Sequence, residues 1–281
     1  MERGADIRDA RTAGGTSDDP PFGTFAPTPF QRAVVAFTRI QRPTWLGRRL
    51  SFMARRLVLA GLRRPIDMES CGLSLRLHPT DNLCEKRLLF TPQFFDRPER
   101  EFLARRLGEG ATFVDIGANV GIYSLLAARA GARVVAVEPQ PAVFARLAFN
   151  VRANGFESVA AEQAAVADRA GTFEITIDER NLGHSGGATA GGRAITVPCT
   201  TLLALLDAHG IERPDLLKID VEGAEDVILL AFFENAPAAR HPAAIILENA
   251  PERWAVDCVA LCRKHGYRVV GTARMNVMLE K

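Results

Sequence analysis

From Thr112 onward, short β-branched or apolar runs alternate with helical runs, a pattern that suits a mainly parallel sheet covered on both faces. The alternation predicts strands over 112–116, 133–137, 159–166, 215–220, 243–248, 267–271 and 275–280, a seven-stranded α/β arrangement. Helices are predicted at about 120–130, 141–154, 200–208, 223–234 and 252–265. One stretch breaks the pattern. Residues 172–178 and 194–198 both read as strands joined by a glycine-rich loop over 179–193, which predicts an inserted β-hairpin. Upstream, 72–78 alternates like a short strand, and 98–107 reads as a helix with proline in its first turn.

The chain of 281 residues is long enough for one such domain plus an extension. Residues 1–29 are rich in Gly, Pro, Asp, Thr and Ser without periodicity, and are expected to be a disordered tail. Residues 30–75 form a basic helical extension, and 76–281 the main domain. Within 30–64 lie nine arginines and no acid, with Trp45, Leu46, Leu50, Phe52, Met53, Leu57, Val58 and Leu62 at roughly helical spacing between them. The segment is expected to pack on the main domain with its arginines in water, with peripheral membrane contact as the alternative. No nucleic-acid partner is expected. No run approaches the length of a membrane-spanning helix, and 1–21 has no apolar core of signal-peptide type. Five cysteines without CxxC pairing fit a reducing, cytoplasmic setting.

The first predicted strand ends at Asp115-Ile116 and runs through Gly117-Ala118-Asn119-Val120-Gly121 into an apolar helix. Small residues there allow a tight turn whose backbone N–H groups approach a bound cofactor. The next strand ends in Glu138, followed by Pro139, and a carboxylate at that place accepts hydrogen bonds from ribose hydroxyls. The same geometry serves dinucleotides, but their loop places glycine where Asn119 stands. Asp115 beside the loop would repel a pyrophosphate yet could pair with an ammonium group. The loop therefore suits S-adenosyl-L-methionine better.

Three segments, FVDIGANVGIYSLLAA, VVAVEPQP and LLKIDVEGAE, together resemble the FkbM family of S-adenosylmethionine-dependent methyltransferases. The resemblance spans roughly Leu77 to Leu247. It implies a class I, Rossmann-like methyltransferase sheet and methyl transfer to a hydroxyl of a sugar, glycan or secondary metabolite. It also implies that Asp115, Gly117, Ala118, Asn119 and Gly121 line the methionine end and that Glu138 and Pro139 face the ribose. Residues 163–168, including Ala165, would face the adenine. The chain departs from the family at Leu203, where many relatives carry an acid after Thr-Leu.

Methyl transfer to an alcohol needs the acceptor held near the methyl group and its proton removed. Candidates stand at the ends of the fourth and fifth strands. Asp220, also expected at the cofactor, and Glu222 could bracket an acceptor hydroxyl, or Glu222 and Glu225 could stabilise a helix N-terminus. Glu248 could bind the acceptor or close a turn. His184, in the hairpin loop, could fold over the acceptor as a base. Asp220, Glu222 and Glu248 are also hard oxygen ligands, but nothing in their spacing requires a metal, and none is expected. N-methylation and a non-catalytic cofactor-fold module are the competing functions.

Overall fold

The computed structural model describes residues 19–177, 182, 185–186 and 193–281. The seven-stranded sheet is built from β3 (Thr112–Ile116), β4 (Arg133–Val137), β5 (Val159–Glu162), β10 (Leu216–Ile219), β11 (Ala244–Glu248), β12 (Arg268–Thr272) and β13 (Asn276–Glu280). Their order is β12-β13-β11-β10-β3-β4-β5. Five adjacent strands are parallel, and β13 runs antiparallel between β11 and β12. The chain works outward from β3 in one direction and then returns to lay β10 on its other side. That reversal makes the carboxyl ends of β3 and β10 the topological switch point, where ligands of such sheets bind.

Strand alternation sends side chains to two cores. Phe113, Val134, Leu216 and Ile246 face one side, with helices α5 (Ile122–Arg129) and α6 (Pro141–Asn154) packed there. Val114, Val135, Leu217 and Ile245 face the other, covered by α7 (Leu202–Ala208), α8 (Glu225–Asn235) and α9 (Cys258–Lys264). The class I methyltransferase architecture anticipated above is therefore present, with helices on both faces.

The hairpin forms from β7 (Gly171–Ile177) and β9 (Arg193–Thr201), paired antiparallel. Residues 159–166, expected as one strand, divide. β5 ends at Glu162, and β6 (Ala165–Ala167) pairs parallel with β9 in a separate sheet. Helix α9 starts later than the predicted 252, because the preceding segment is pinned as a turn and a bend. Asp226 Oδ2 accepts the N–H groups of Ala255 and Val256 at 2.7 and 3.1 Å, and Asp257 then caps the helix.

In the N-terminal third one expectation is refined and two need correction. The basic segment forms two helices, α1 (Pro29–Arg39) and α2 (Trp45–Leu59). Pro43 disfavours helical geometry at Arg42, and Thr44 caps the second helix by accepting from Gly47 N–H. Residues 19–28 of the expected disordered tail are held on the domain. Asp67 Oδ2 accepts from Gly23 and Phe25 N–H, while Arg76 donates to Pro21 O and lies over the rings of Phe25 and Phe149. Composition could not register this tether, because its partners lie some forty to fifty positions further along. Finally, the boundary at 75/76 falls inside β2 (Leu73–Leu77), which pairs with β1 (Ile66–Ser70). β2 is stitched to α6 by Arg76 N–H to Asn150 and Ser74 N–H to Asn154, and Val35 and Val58 join the same core as Phe113. Residues 30–75 are part of the domain.

Candidate active site

The loop after β3 is shaped by backbone geometry. Gly117, Asn119 and Gly121 all have positive φ (76°, 52° and 87°). A Cβ at Gly117 would lie 1.8 Å from the carbonyl oxygen of Asp220, so only glycine lets the loops after β3 and β10 touch. At Gly121 a Cβ would meet Leu147 at 2.4 Å, and this residue caps α5.

The amides of this loop are spoken for, in contrast to the expectation that they face a ligand. Gly117 and Ala118 donate to Val137 O, Asn119 to Glu138 Oε2, Val120 to the Asn119 side chain, and Gly121 to Ala118 O. No run of spare N–H groups remains for a pyrophosphate. The ligand-facing groups are instead the Glu138 carboxylate and the apolar walls. Glu138 also accepts from Gln140 N–H, and burial pushes its carboxyl up to about 7. Ala118, Asn119, Glu138, Pro139 and Ala165 line one cavity together with Asp220. The residues present thus fit a nucleoside without phosphate, such as S-adenosylmethionine: an acid for ribose hydroxyls, with Val137, Pro139, Ala164 and Val166 as an apolar slot for a base. Volume supports the same reading. At about 1610 Å³ the cavity exceeds the roughly 300–1,000 Å³ of an ordinary ligand pocket and leaves room for an acceptor.

Asp115 and Gly121 are not among the lining residues. Asp115 is fully buried behind the loop, where Oδ2 accepts from Ser124 Oγ at 2.6 Å. Its strand partner is Lys218, which points to the same face by register. Lys218 Nζ lies 2.8 Å from Asp220 Oδ2 and 3.9 Å from Asp115 Oδ1, over the Tyr123 ring. Burial alone would lower the Lys218 pKa, but the two acids outweigh it and raise the value. Lys218 is therefore a charged strut between the cofactor loop and the acceptor side.

The ends of β10 and β11 gather three carboxylates. Oxygens of Asp220, Glu222 and Glu248 lie within 4.8 Å of one another and line the cavity. Glu222 sits in the left-handed region (φ 61°) and is held by Arg253 Nη1 at 2.6 Å, so it does not act as a helix cap. Glu225, the first residue of α8, instead pins the loop before the helix: it accepts from Val221 and Gly223 N–H and from the Trp254 indole. Glu248, 5% exposed, has an Oε2 without a hydrogen-bond partner among the described residues and an Oε1 3.8 Å from Arg253. Burial, then repulsion from Asp220, Glu222 and Glu225, pushes its carboxyl up to about 8. Leu203, half-buried in the first turn of α7, lines no part of the cavity. His184 lies outside the described residues.

Sequence reasoning missed two contributors. Asn82 caps helix α3 (Leu83–Phe90) and donates from Nδ2 to Asn119 Oδ1 at 3.0 Å, steadying the cofactor loop from 37 positions upstream. Arg253 closes the acidic cluster. Neither residue belongs to a recognisable spacing; only the fold brings it in.

The fold, the switch-point cleft, the acid after β4 and the loop without spare N–H groups are those expected of a class I S-adenosylmethionine-dependent methyltransferase. The chain belongs to the Methyltransferase FkbM domain family, whose model matches residues 115–269. No curated protein matches it at a significant level. Among solved structures it is similar to M. jannaschii TYW2 in complex with AdoMet, at 13% identity over 78% of this chain and 84% of that one, with a TM-score of 0.38. It is also similar to a SAM-dependent methyltransferase from Agrobacterium tumefaciens, at 11% identity, 78% and 70% coverage and a TM-score of 0.43. A third similar structure is monomeric WbdD, at 16% identity, 80% and 48% coverage and a TM-score of 0.45.

Proposed function

We propose that this methyltransferase acts on a hydroxyl oxygen of a sugar, glycan or other hydroxylated small molecule, in a reducing, cytoplasmic setting. The observation that carries the reading is the acidic cluster at the ends of β10 and β11, with Glu248 lining the cavity shared with Glu138 and its Oε2 buried without a hydrogen-bond partner among the described residues. When bound, S-adenosylmethionine supplies an electrophilic methyl carbon on sulfur. Glu138 and the loop at Gly117–Asn119 hold and orient the nucleoside. Asp220, fixed by Lys218, accepts a hydrogen bond from the acceptor hydroxyl and points its oxygen toward the methyl group. Glu248 takes the proton as the new carbon–oxygen bond forms. A carboxyl raised to about 8 suits that task, because a base works best with a pKa near the working pH. Arg253 offsets the negative charge that gathers on Glu222 and Glu248. All five cysteines are free thiols, in keeping with the reducing setting.

The test is transfer of labelled methyl groups to a panel of sugars, glycans and hydroxylated metabolites, set against amine-bearing analogues. Methylated hydroxyls support the reading. Transfer to amines alone would overturn it.

A further inference from the structure

Helix α2 carries two stripes at the same helical spacing. Gly47, Ser51, Ala54 and Val58 turn inward, and three of the four are fully buried. Leu46, Leu50, Met53 and Leu57 turn outward and are 57, 37, 57 and 65% exposed. A stripe of large apolar side chains in water beside a stripe of small ones in the core reverses what helix burial alone would select. Trp45 and Phe52 on α2, and Phe30, Phe37 and Ile40 on or next to α1, extend the exposed apolar face.

Positive charge surrounds it. Arg32, Arg42, Arg48, Arg49, Arg56, Arg63 and Arg64 are all exposed. Among the described residues, no arginine of this segment forms an ion pair with a carboxylate, whereas arginines elsewhere in the chain pair repeatedly. Arg49 lies over the Trp45 ring, and Arg55 over the Phe52 ring. Apolar side chains flanked by unneutralised arginines, with aromatic rings between, complement the acyl boundary and headgroups of an anionic bilayer. A nucleic-acid backbone would satisfy the arginines but leave the leucine and methionine stripe in water.

We infer that the α1–α2 face docks this protein peripherally on anionic lipid surfaces. The reading goes beyond the methyl-transfer reaction and has a consequence for it. Arg48, Phe52 and Arg55 of α2 also line the cavity that holds Glu138 and Glu248. One helix thus borders both the docking face and the cleft, so a hydroxylated acceptor carried on a lipid would reach the cleft at headgroup level.

The test is co-sedimentation of the full chain with vesicles of phosphatidylcholine containing about one third phosphatidylglycerol, against pure phosphatidylcholine. Two variants avoid the cavity: Arg49→Glu with Arg56→Glu, and Leu46→Ser with Met53→Ser and Leu57→Ser. Wild type should bind the anionic vesicles, more weakly as salt rises, and each variant should lose roughly tenfold or more of that binding while still binding S-adenosylmethionine. Should the apolar variant fail to fold, the arginine variant still decides. Absence of wild-type binding, equal binding to neutral vesicles, or variants that bind like wild type would overturn the inference. So would a dimer that the apolar variant dissociates, or RNA binding without vesicle binding.

Discussion

Asn119 donates its backbone N–H to Glu138 Oε2 at 2.9 Å, which joins the loop after β3 and the acid after β4 into one hydrogen-bonded unit. Glu138 is therefore both a ligand-facing group and the anchor of the loop that faces the same ligand. Replacing it by Gln keeps the shape but removes the charge. Glu138→Gln should weaken S-adenosylmethionine binding by about ten- to hundredfold, the worth of hydrogen bonds to a charged acceptor. Because burial lifts the Glu138 carboxyl to about 7, wild-type affinity should tighten as pH rises through that value, and the variant should lose the trend. Isothermal titration across pH measures both.

Glu248→Gln should lower kcat by about 10²- to 10⁴-fold while leaving cofactor affinity near wild type, as expected for loss of a general base. In the wild type, kcat should rise with pH toward about 8 as the Glu248 carboxyl ionises. A variant with unchanged turnover would remove Glu248 from the chemistry.

Lys218→Met leaves the buried Asp115 and the part-exposed Asp220 without their shared cation. The variant should be destabilised by about 3–5 kcal/mol, as for breaking a buried ion pair from one side. Urea denaturation of the cofactor-free protein measures the loss.

Raised carboxyls also set the pH dependence of stability. Glu138 and Glu248 hold their protons to about 7 and about 8, above the ordinary 4.5, so the folded state binds more protons than the unfolded chain across that window. Their contribution is present below the ordinary value and is lost as pH rises through the folded values. The Tm of the cofactor-free protein should fall from about pH 5 to about pH 9, and fall less when both residues are Gln. Thermal scans at fixed ionic strength check the slope.

The acidic cluster invites a question about metal dependence, and Arg253 bears on it directly. Its guanidinium already lies 2.6 Å from Glu222 and 3.8 Å from Glu248. Turnover should survive EDTA and drop in Arg253→Ala. Loss of activity on chelation, restored by a divalent cation, would assign the cluster to a metal.

What could be read in the chain before folding follows from periodicity. All seven main strands and the hairpin were legible because alternation and helical spacing are local patterns, and Glu138 and Asp220 because they end such strands. The break between β5 and β6 was hidden, since the pair Glu162-Gln163 inside the short run from 159 to 166 does not say which sheet each half joins. Asp115 was placed correctly along the chain but not in depth: its pairing with Lys218 depends on the register of two strands a hundred positions apart. The two readings offered for Glu222 stayed open for a similar reason, because Arg253 and Trp254, which hold Glu222 and Glu225 in place, arrive from a segment without periodicity.

The contact between Gly117 and the Asp220 carbonyl has a consequence for how this enzyme can change. The methyl-donor half of the cleft is fixed by main-chain atoms, where almost any substitution at Gly117 collides. Much of the remaining wall, including Phe173, Ile175, Arg274 and Met275, is made of side chains on the hairpin and on the turn before β13. Acceptor range is thus open to mutation one residue at a time while the donor site stays constant, which makes those four positions the natural starting library for redirecting the enzyme.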